Sequence, residues 1–216
     1  MQFASFTLIF LFLPITMLLF YLTPNRWKRE VMLGISLLFL CSGGWLAAAV
    51  EILLTALTYG AGLLLEHLRQ RKHLSRLVLT GSILLHFGAL LLLRSDWLFS
   101  LKAGWFSGKS LFPLGLAFFT LQSVGYCIDV FRGKIHGEKN WRQLGLYLLF
   151  YPRLIMGPVV SYSVAVKSLC TPVFDIARVG QGLLRFLVGL GKKLILANWL
   201  GMLFQTHCQA DTRSEE

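Results

Sequence analysis

The chain has 216 residues, of which 56% are hydrophobic and only 14% are charged. A soluble domain carries roughly a quarter charged residues, so this composition excludes most soluble classes and predicts a lipid environment. The 21 Lys and Arg outnumber the 10 Asp and Glu, which gives a formal net charge of +11. Because the basic residues lie between apolar blocks and form no single patch, we do not expect a nucleic-acid partner.

Apolar segments follow one another along the whole chain. They cover residues 3–22, 31–42, 45–65, 77–93, 111–131, 144–162 and 179–204. About seven segments of this kind predict an all-α polytopic membrane protein with a bundle of helices. We expect Pro14 to kink the first segment. Residues 1–204 are expected to form one membrane domain, and residues 205–216 a polar tail.

The loops between the segments differ in their basic residues. Loops 23–30, 67–76 and 132–142 hold three, four and four Lys and Arg, eleven in all. The intervening loops hold none at Gly43-Gly44 and three in 94–110. Since cytoplasmic loops carry the excess of Lys and Arg, we predict that the richer loops are cytoplasmic and that the amino terminus is external.

The fifth segment carries a polar stripe. At helical spacing, Gln122, Tyr126, Asp129 and Arg132 fall close to one line. A carboxylate within a span costs about 2.5–3.5 kcal/mol by insertion scales, so such groups usually face a protein interior or a water-lined cavity. Asp129 and Arg132 are three residues apart and could neutralise each other. Two interpretations stay open: an ion pair that anchors the helix end, or the wall of a substrate pocket.

The sixth segment is broken. Pro152 and the pair Gly157 and Pro158 interrupt the helical hydrogen bonds twice within seven residues, and Arg153 lies inside the break. At membrane depth, a broken helix is tolerated where protein or a water-filled cavity satisfies the freed backbone groups. A kinked helix with an interfacial arginine is one interpretation. We prefer a re-entrant element that lines a substrate tunnel, because the break and the charge coincide.

The seventh segment carries cations on one face. Arg178, Arg185 and Lys192 are each seven residues apart, and Lys193 flanks them. Such a face could bind the phosphates of an acyl donor or those of anionic lipid head groups, and we prefer lipid because it needs no special site.

No motif indicates a metal or a bound cofactor. The sequence has no paired Cys, no H-x-x-x-H, no P-loop and no dinucleotide fingerprint. His86 lies in the middle of the fourth segment, where an ionisable residue is a functional candidate. No acid or nucleophile lies beside it in the sequence, so we expect a neutral imidazole that is bonded to a neighbouring helix.

Three blocks of the sequence keep a fixed order and spacing. They are Phe112-Pro113-Leu114-Gly115 through Tyr126-Cys127-Ile128-Asp129-Val130-Phe131-Arg132-Gly133, then Tyr151-Pro152-Arg153-Leu154-Ile155-Met156-Gly157-Pro158, and then Gly191-Lys192-Lys193-Leu194 with Ala197. Together they resemble the membrane-bound O-acyltransferase family, in particular its branch of bacterial alginate O-acetylases and the teichoic-acid D-alanyl transfer protein. The apolar start from Phe3 to Tyr21 is similar to the start of that branch.

The resemblance implies an activity and a place in the cell. Enzymes of this family transfer an acyl group from a cytoplasmic donor, acetyl-CoA or an acyl carrier, to hydroxyls of an exported polymer. Their helices surround a tunnel through the bacterial cytoplasmic membrane, and a histidine in the later half of the chain acts as the base that a weakly nucleophilic hydroxyl needs. The stripe of the fifth segment and the break of the sixth are then expected to be walls of that tunnel.

The chain departs from the family pattern after Lys193. The segment with the catalytic histidine should follow there, whereas His207 lies in the polar tail with no apolar helix after it. We therefore expect the amino-terminal half of a truncated or split enzyme, which is inactive alone and has no catalytic residue of its own. Expected partners are membrane lipid, a carboxy-terminal enzyme half or a secreted acyl-accepting protein. The alternative is a non-catalytic membrane subunit that binds a partner protein or lipid.

Overall fold

The computed structural model describes residues 8–24, 26–94, 115–154, 160–170, 176–197 and 199–204. Over these residues the secondary structure is helical, without a strand. Three of the described helices are long and apolar enough to cross a bilayer, Trp45–His67, Lys72–Arg94 and Val179–Phe204, and the shorter apolar helices are Phe10–Leu22 and Leu116–Phe131. The predicted all-α membrane fold is confirmed.

The chain divides into two compact units, Met1–Thr171 and Pro172–Glu216. The described helices of the first unit are α1 Leu13–Leu22, α2 Lys28–Gly43, α3 Trp45–His67, α4 Lys72–Arg94, α5 Leu116–Phe131, α6 Trp141–Leu149, α7 Tyr151–Leu154 and α8 Tyr162–Cys170. The second unit contains α9, Ile176–Gly191.

The first helix is irregular where proline requires it. Pro14 lies in the first turn of α1, where its missing N–H removes no intrahelical hydrogen bond. The preceding turn, Leu8–Phe12, is a π-helix, in which the hydrogen bonds span one more residue. The widened turn thus lies just before Pro14, and the kink that we predicted there stays a prediction.

Three helices form the centre of the first unit. Helices α3 and α4 are joined by residues 68–71, and α5 packs against both of them. Leu54 and Leu65 of α3 are buried together with Phe119 and Tyr126 of α5. In a bilayer these contacts stabilise the bundle by close packing and not by removal of apolar surface from water.

One face of α4 is directed away from the protein. Leu77, Leu84 and Leu91 are seven residues apart and are 70%, 67% and 68% exposed. An apolar stripe of this kind on a soluble protein would be an aggregation site, whereas in a bilayer it contacts acyl chains at no cost. The exposure pattern therefore agrees with the lipid environment that the composition predicts.

Several predicted segment ends are wrong. Helices α2 and α4 begin at Lys28 and Lys72, inside loops that we expected to be basic connections. Lys is a good helix former, so a basic residue does not end a helix at the membrane surface. Tyr162, predicted as the last residue of the sixth segment, is instead the first residue of α8, which continues to Cys170.

The described part of the second unit is helical. Helix α9 ends at Gly191, and a π-helical stretch, Lys192–Ala197, follows it. None of the residues of this unit whose side chains are described is buried. The predicted seventh segment is therefore helical, with a widened ladder at its pair of lysines, and residues 205–216 of the predicted tail lie outside the described residues.

Candidate functional site

The sixth segment is too short to cross the membrane. Asn140 begins α6, because its side-chain oxygen accepts the backbone N–H of Arg142 at 3.2 Å. The nine residues of α6 rise only about 13 Å, against about 30 Å of hydrocarbon. Phe150 then adopts an extended conformation, and Pro152 falls in the first turn of the short α7, where a proline is tolerated.

After the break, the chain returns to the end at which it entered. The hydroxyl of Tyr162 donates to the carboxylate of Glu138, just before α6, and accepts a hydrogen bond from the Gln143 side chain at 3.3 Å. The hydroxyl of Tyr147, on α6, donates to the carbonyl of Val160 at 2.8 Å. The described residues on either side of the break therefore meet at one end of α6, as a re-entrant segment requires, while the position of this segment in the membrane stays a prediction.

The tip of the re-entrant segment is fixed by the first two helices. The backbone N–H of Tyr151 donates to the Ser36 hydroxyl at 3.3 Å, and the Tyr151 hydroxyl lies 2.8 Å from that of Thr16. The ring of Tyr151 packs against Phe12 and Phe39, with centroids 5.1 and 5.5 Å away. Side chains thus replace the helical partner that the break removes, which is the condition for broken backbone at membrane depth.

The tip also touches the start of α5. Gly115 adopts a φ of +78°, and a Cβ there would lie 1.7 Å from the carbonyl oxygen of Leu154. Only glycine allows both the left-handed conformation and this approach. The contact holds the tip of the re-entrant segment at the beginning of α5.

The first two residues of the predicted stripe, Gln122 and Tyr126, lie inside the bundle. Gln122 and Tyr126 are 3% and 1% exposed. A Cβ at Gly62 of α3 would lie 2.8 Å from the Tyr126 hydroxyl, so a glycine makes room for the tyrosine ring. That hydroxyl accepts the backbone N–H of Glu138 at 2.8 Å.

The last two residues of the stripe, Asp129 and Arg132, differ from the prediction in their ion pairing. The ion pair of Asp129 in the described chain is with Lys134, at 3.8 Å, while Arg132 is exposed. The pairing of Asp129 with Arg132 was therefore wrong. The reason is the end of α5: Gly133, with a φ of +71°, turns the chain so that the Lys134 N–H donates to the Asp129 carbonyl at 3.0 Å.

The residues predicted around the break are only partly described. Pro152 is exposed, and Arg153 is half-buried with its guanidinium 5.8 Å from the centre of the Phe150 ring. Its Nη1 atom is buried and has no hydrogen-bond partner among the described residues. Gly157 and Pro158 lie outside the described residues.

The basic face of the second unit is exposed to its surroundings. Arg185 and Lys192 are exposed, and Lys193 is half-buried. Arg178 lies on the same helix, but its side chain is outside the described residues.

His86 is bonded to a neighbouring helix, as expected. Its Nε2 atom lies 2.9 Å from the Thr58 hydroxyl of α3, and its Nδ1 atom lies 2.8 Å from the Ser82 carbonyl one turn earlier in α4. The ring stacks on Phe119 of α5. Both ring nitrogens are therefore engaged, and His86 ties α4 to α3.

The sequence analysis missed a set of buried polar groups without partners. Glu51 of α3 is completely buried, and neither of its carboxylate oxygens has a hydrogen-bond partner in the described chain. The hydroxyls of Thr120 and Ser123 on α5 are likewise buried and have no hydrogen-bond partner in the described chain. The charge of Glu51 within an apolar segment was a usable signal, whereas the two hydroxyls gave none.

Comparison with characterised proteins gives one consistent result. The chain is 28% identical to the probable alginate O-acetylase AlgI of Pseudomonas fluorescens, over 97% of this chain and 41% of that protein. For the AlgI proteins of Pseudomonas putida and Azotobacter vinelandii, the identities are 29% and 26%, over 97% of this chain and 45% and 44% of theirs. The relationship to alginate O-acetylases is confirmed.

The match is extensive in this chain and partial in its relatives. The chain spans less than half the length of the alginate O-acetylases that it matches, 41–45% in the five compared. No family model matches the chain. No solved structure matches it either.

A metal centre finds no support in the described part of the chain. Over those residues, no three His, Cys, Asp or Glu side chains come together in a way that could hold an ion. The candidate-site features that the structure describes are the segment around the break, the buried stripe of α5 and the contact between them at Gly115.

Proposed function

We propose that this chain forms part of a membrane O-acyltransferase of the alginate O-acetylase type. The enzyme transfers an acyl group from a cytoplasmic donor to hydroxyls of an exported polymer across the bacterial cytoplasmic membrane. The observation that carries the proposal is the similarity to alginate O-acetylases over 97% of this chain. The re-entrant segment supports it, because broken backbone at membrane depth is typical of the wall of a substrate pathway.

We assign the wall of that pathway to α5 and the re-entrant segment. Gln122, Tyr126 and Asp129 lie on the helix that contacts the tip, and Pro152 and Arg153 form the tip itself. The exposed Arg132 belongs to the cytoplasmic loop, where it meets the solvent. The amino terminus is external in this arrangement, because the three basic loops are placed in the cytoplasm.

The reaction needs a base, and we propose that this chain does not supply it. The acceptor hydroxyl oxygen bonds to the acyl carbon, the bond from that carbon to the sulfur of a thioester donor breaks, and the hydroxyl proton passes through the base to the departing thiolate. His86 holds hydrogen bonds at both nitrogens inside the bundle, so it is poorly placed to take that proton. We assign the base to the part of the relatives that this chain does not span.

The basic face of α9 and of the π-helical stretch after it has a separate role in the proposal, which is to bind lipid. Arg178, Arg185, Lys192 and Lys193 carry four positive charges, and residues 176–204 contain no Asp or Glu. Although Val179–Phe204 is long and apolar enough to cross a bilayer, we propose that the helix with these cations lies at the membrane surface, where its charged side binds anionic head groups. We propose that this face binds lipid phosphates in preference to the phosphates of a donor, because binding of a donor would need a closed pocket.

Transfer of labelled acetyl groups in isolated membranes tests the proposed function. Membranes that contain this chain together with the remaining part of the Pseudomonas putida relative receive labelled acetyl-CoA and alginate, and alkali-labile label on the polymer is counted. The same relative, divided at the matching boundary, is the positive control for assembly of two parts. We expect label with both parts and background with this chain alone.

Two results would contradict the proposal. Label transferred by this chain alone would place the base within it. Background transfer by a stable complex of the two parts, while the divided relative is active, would favour a second candidate, a non-catalytic membrane subunit. The second unit favours that candidate, because none of its described side chains is buried and such a helix is also suited to binding another protein.

A further inference from the structure

Arg153 is the one charged group at the tip of the re-entrant segment. A guanidinium stays charged at any physiological pH. Its Nη1 atom is buried and unpaired among the described residues, and the ring of Phe150 lies 5.8 Å from its central carbon. Part of this charge is therefore covered without a partner among the described residues, which is costly, and a bound anion would supply the missing partner.

No described acid neutralises this charge. Glu30 pairs with Arg142, Glu66 with His136 and Asp129 with Lys134. Glu138 accepts hydrogen bonds from Tyr162 and from the backbone of Asn140. Glu51 has no hydrogen-bond partner in the described chain, so it does not pair with Arg153 either.

Membrane snorkelling does not explain the position of Arg153. A snorkelling arginine buries its aliphatic stem and exposes its guanidinium to water or head groups. Here a terminal nitrogen of the guanidinium is covered while the residue as a whole is half-buried. The exposed part of Arg153 lets a ligand reach the charge. The covered part shows that neighbouring residues hold the side chain in place.

The tip lies far from the loop that we assign to the cytoplasm. Leu154 contacts Gly115 at the start of α5, whereas the loop that begins at Arg132 follows the end of that helix. The 16 residues of α5 separate the two ends by about 24 Å. With the loop in the cytoplasm, Arg153 is on the side from which an exported acceptor enters, and not on the side of the donor.

We propose that Arg153 binds a carboxylate of an acidic sugar in the acceptor polymer. The planar guanidinium matches a carboxylate in a two-point hydrogen bond and supplies its missing counter-charge. The inference rests on the proposed function and deepens it, because it names a contact that orients the acceptor. Arg153 is a binding residue in this account and takes no part in the proton transfer.

Binding by the purified protein in lipid nanodiscs tests this inference. The probes are a hexamer of mannuronate, a hexamer of mannose that lacks the carboxylates, and acetyl-CoA. They are added to the wild-type chain, to Arg153→Gln and Arg153→Lys, and to the control Arg76→Gln, which removes an exposed arginine of α4. The same measurements are made on the chain assembled with the remaining part of the relative.

We expect Arg153→Gln to weaken binding of the mannuronate hexamer about tenfold or more, since a hydrogen bond between charged groups is removed. Arg153→Lys keeps the charge without the fork and should lie in between, which also covers the case in which the glutamine variant fails to fold. Arg76→Gln should bind as the wild type does.

Four results would overturn the inference, three from comparisons of affinity and one from an absence of binding. The first three are equal affinity of the wild type and both Arg153 variants for the mannuronate hexamer, equal affinity of the wild type for the two hexamers, and a loss on Arg153→Gln that affects acetyl-CoA alone. The absence of mannuronate binding in both the chain and the assembled pair would do the same. Binding is read without acyl transfer, so failure of the acetylation experiment and failure of this one are distinguishable.

Discussion

At the scale of single residues, Gly115 connects the two candidate walls of the pathway. Its left-handed backbone and its approach to Leu154 both exclude a side chain. We expect Gly115→Ala to destabilise the protein by about 3 kcal/mol, from the cost of the left-handed conformation and of overpacking. The midpoint of thermal unfolding in detergent measures this effect.

Gly125 is the matched control for Gly115. It lies within α5, the helix that begins directly after Gly115, and a Cβ there would meet nothing within 4 Å. Gly125→Ala should leave the midpoint unchanged or raise it, since alanine favours a helix interior by up to about 1 kcal/mol. Equal midpoints for the two variants would contradict the contact between the tip and α5.

Glu51 provides a prediction of the opposite sign. Its carboxylate is completely buried and without a partner in the described chain. Replacing such a group by an apolar side chain of similar size is neutral or stabilising, so we expect Glu51→Leu to keep or raise the midpoint of thermal unfolding. A lower midpoint would show that the carboxylate has a stabilising partner that the described residues do not include.

Thr58 is the contrast to Glu51 on the same helix. Thr58→Val removes the hydroxyl that lies 2.9 Å from His86 Nε2 while keeping the shape of the side chain. We expect a loss of about 1 kcal/mol, in the range measured for hydrogen bonds within membranes. An unchanged midpoint would contradict the role of His86 as a link between α3 and α4.

At the scale of elements, the re-entrant segment can be tested by accessibility. In a background without native cysteines, Lys139→Cys and Ser161→Cys place exposed thiols before and after the segment. Because Tyr162 bonds to Glu138 and Gln143, we expect an impermeant maleimide to label both thiols from the cytoplasmic side. Labelling of the two from opposite sides would indicate a complete span.

The basic face of α9 predicts a preference for anionic lipid. Arg185→Gln with Lys192→Gln removes two exposed charges without changing the apolar side. Each basic residue near an anionic surface contributes about 1 kcal/mol, so we expect the double variant to retain fewer anionic lipids in native mass spectrometry. Retention of zwitterionic lipid is the internal control, and an equal loss of both lipid types would contradict an electrostatic contact.

Element types were predictable from the sequence, and their ends were not. The apolar runs identified the segments because a bilayer selects for length and composition. Lys28 and Lys72 continue helices into the basic loops, since helix propensity and membrane position are separate properties. The partner of Asp129 depended on a turn at Gly133, which the spacing of Asp129 and Arg132 does not reveal.

The candidate site was predictable to a similar degree. Two prolines and a charge sufficed to identify the break at Pro152 and Arg153. The groups that hold its tip, Thr16 and Ser36, are more than a hundred residues away in sequence, so no local pattern could indicate them. The charge of Glu51 within an apolar segment was a usable signal, but its complete burial depends on tertiary packing that the sequence does not show.

At the scale of the whole molecule, composition, orientation and similarity lead to one account. The apolar segments form a helical membrane protein, and the loop charges predict its orientation. The similarity to alginate O-acetylases covers almost all of this chain and less than half of those proteins. The account therefore makes this chain a contributor to acyl transfer that depends on a base supplied by the rest of the enzyme.

The acetyl ester content of exported alginate tests this claim most directly. It is measured in a bacterium without its own alginate O-acetylase that produces this chain alone, the remaining part of a relative alone, or both together. The account predicts acetyl ester only when both are present. Acetylation by this chain alone would contradict it.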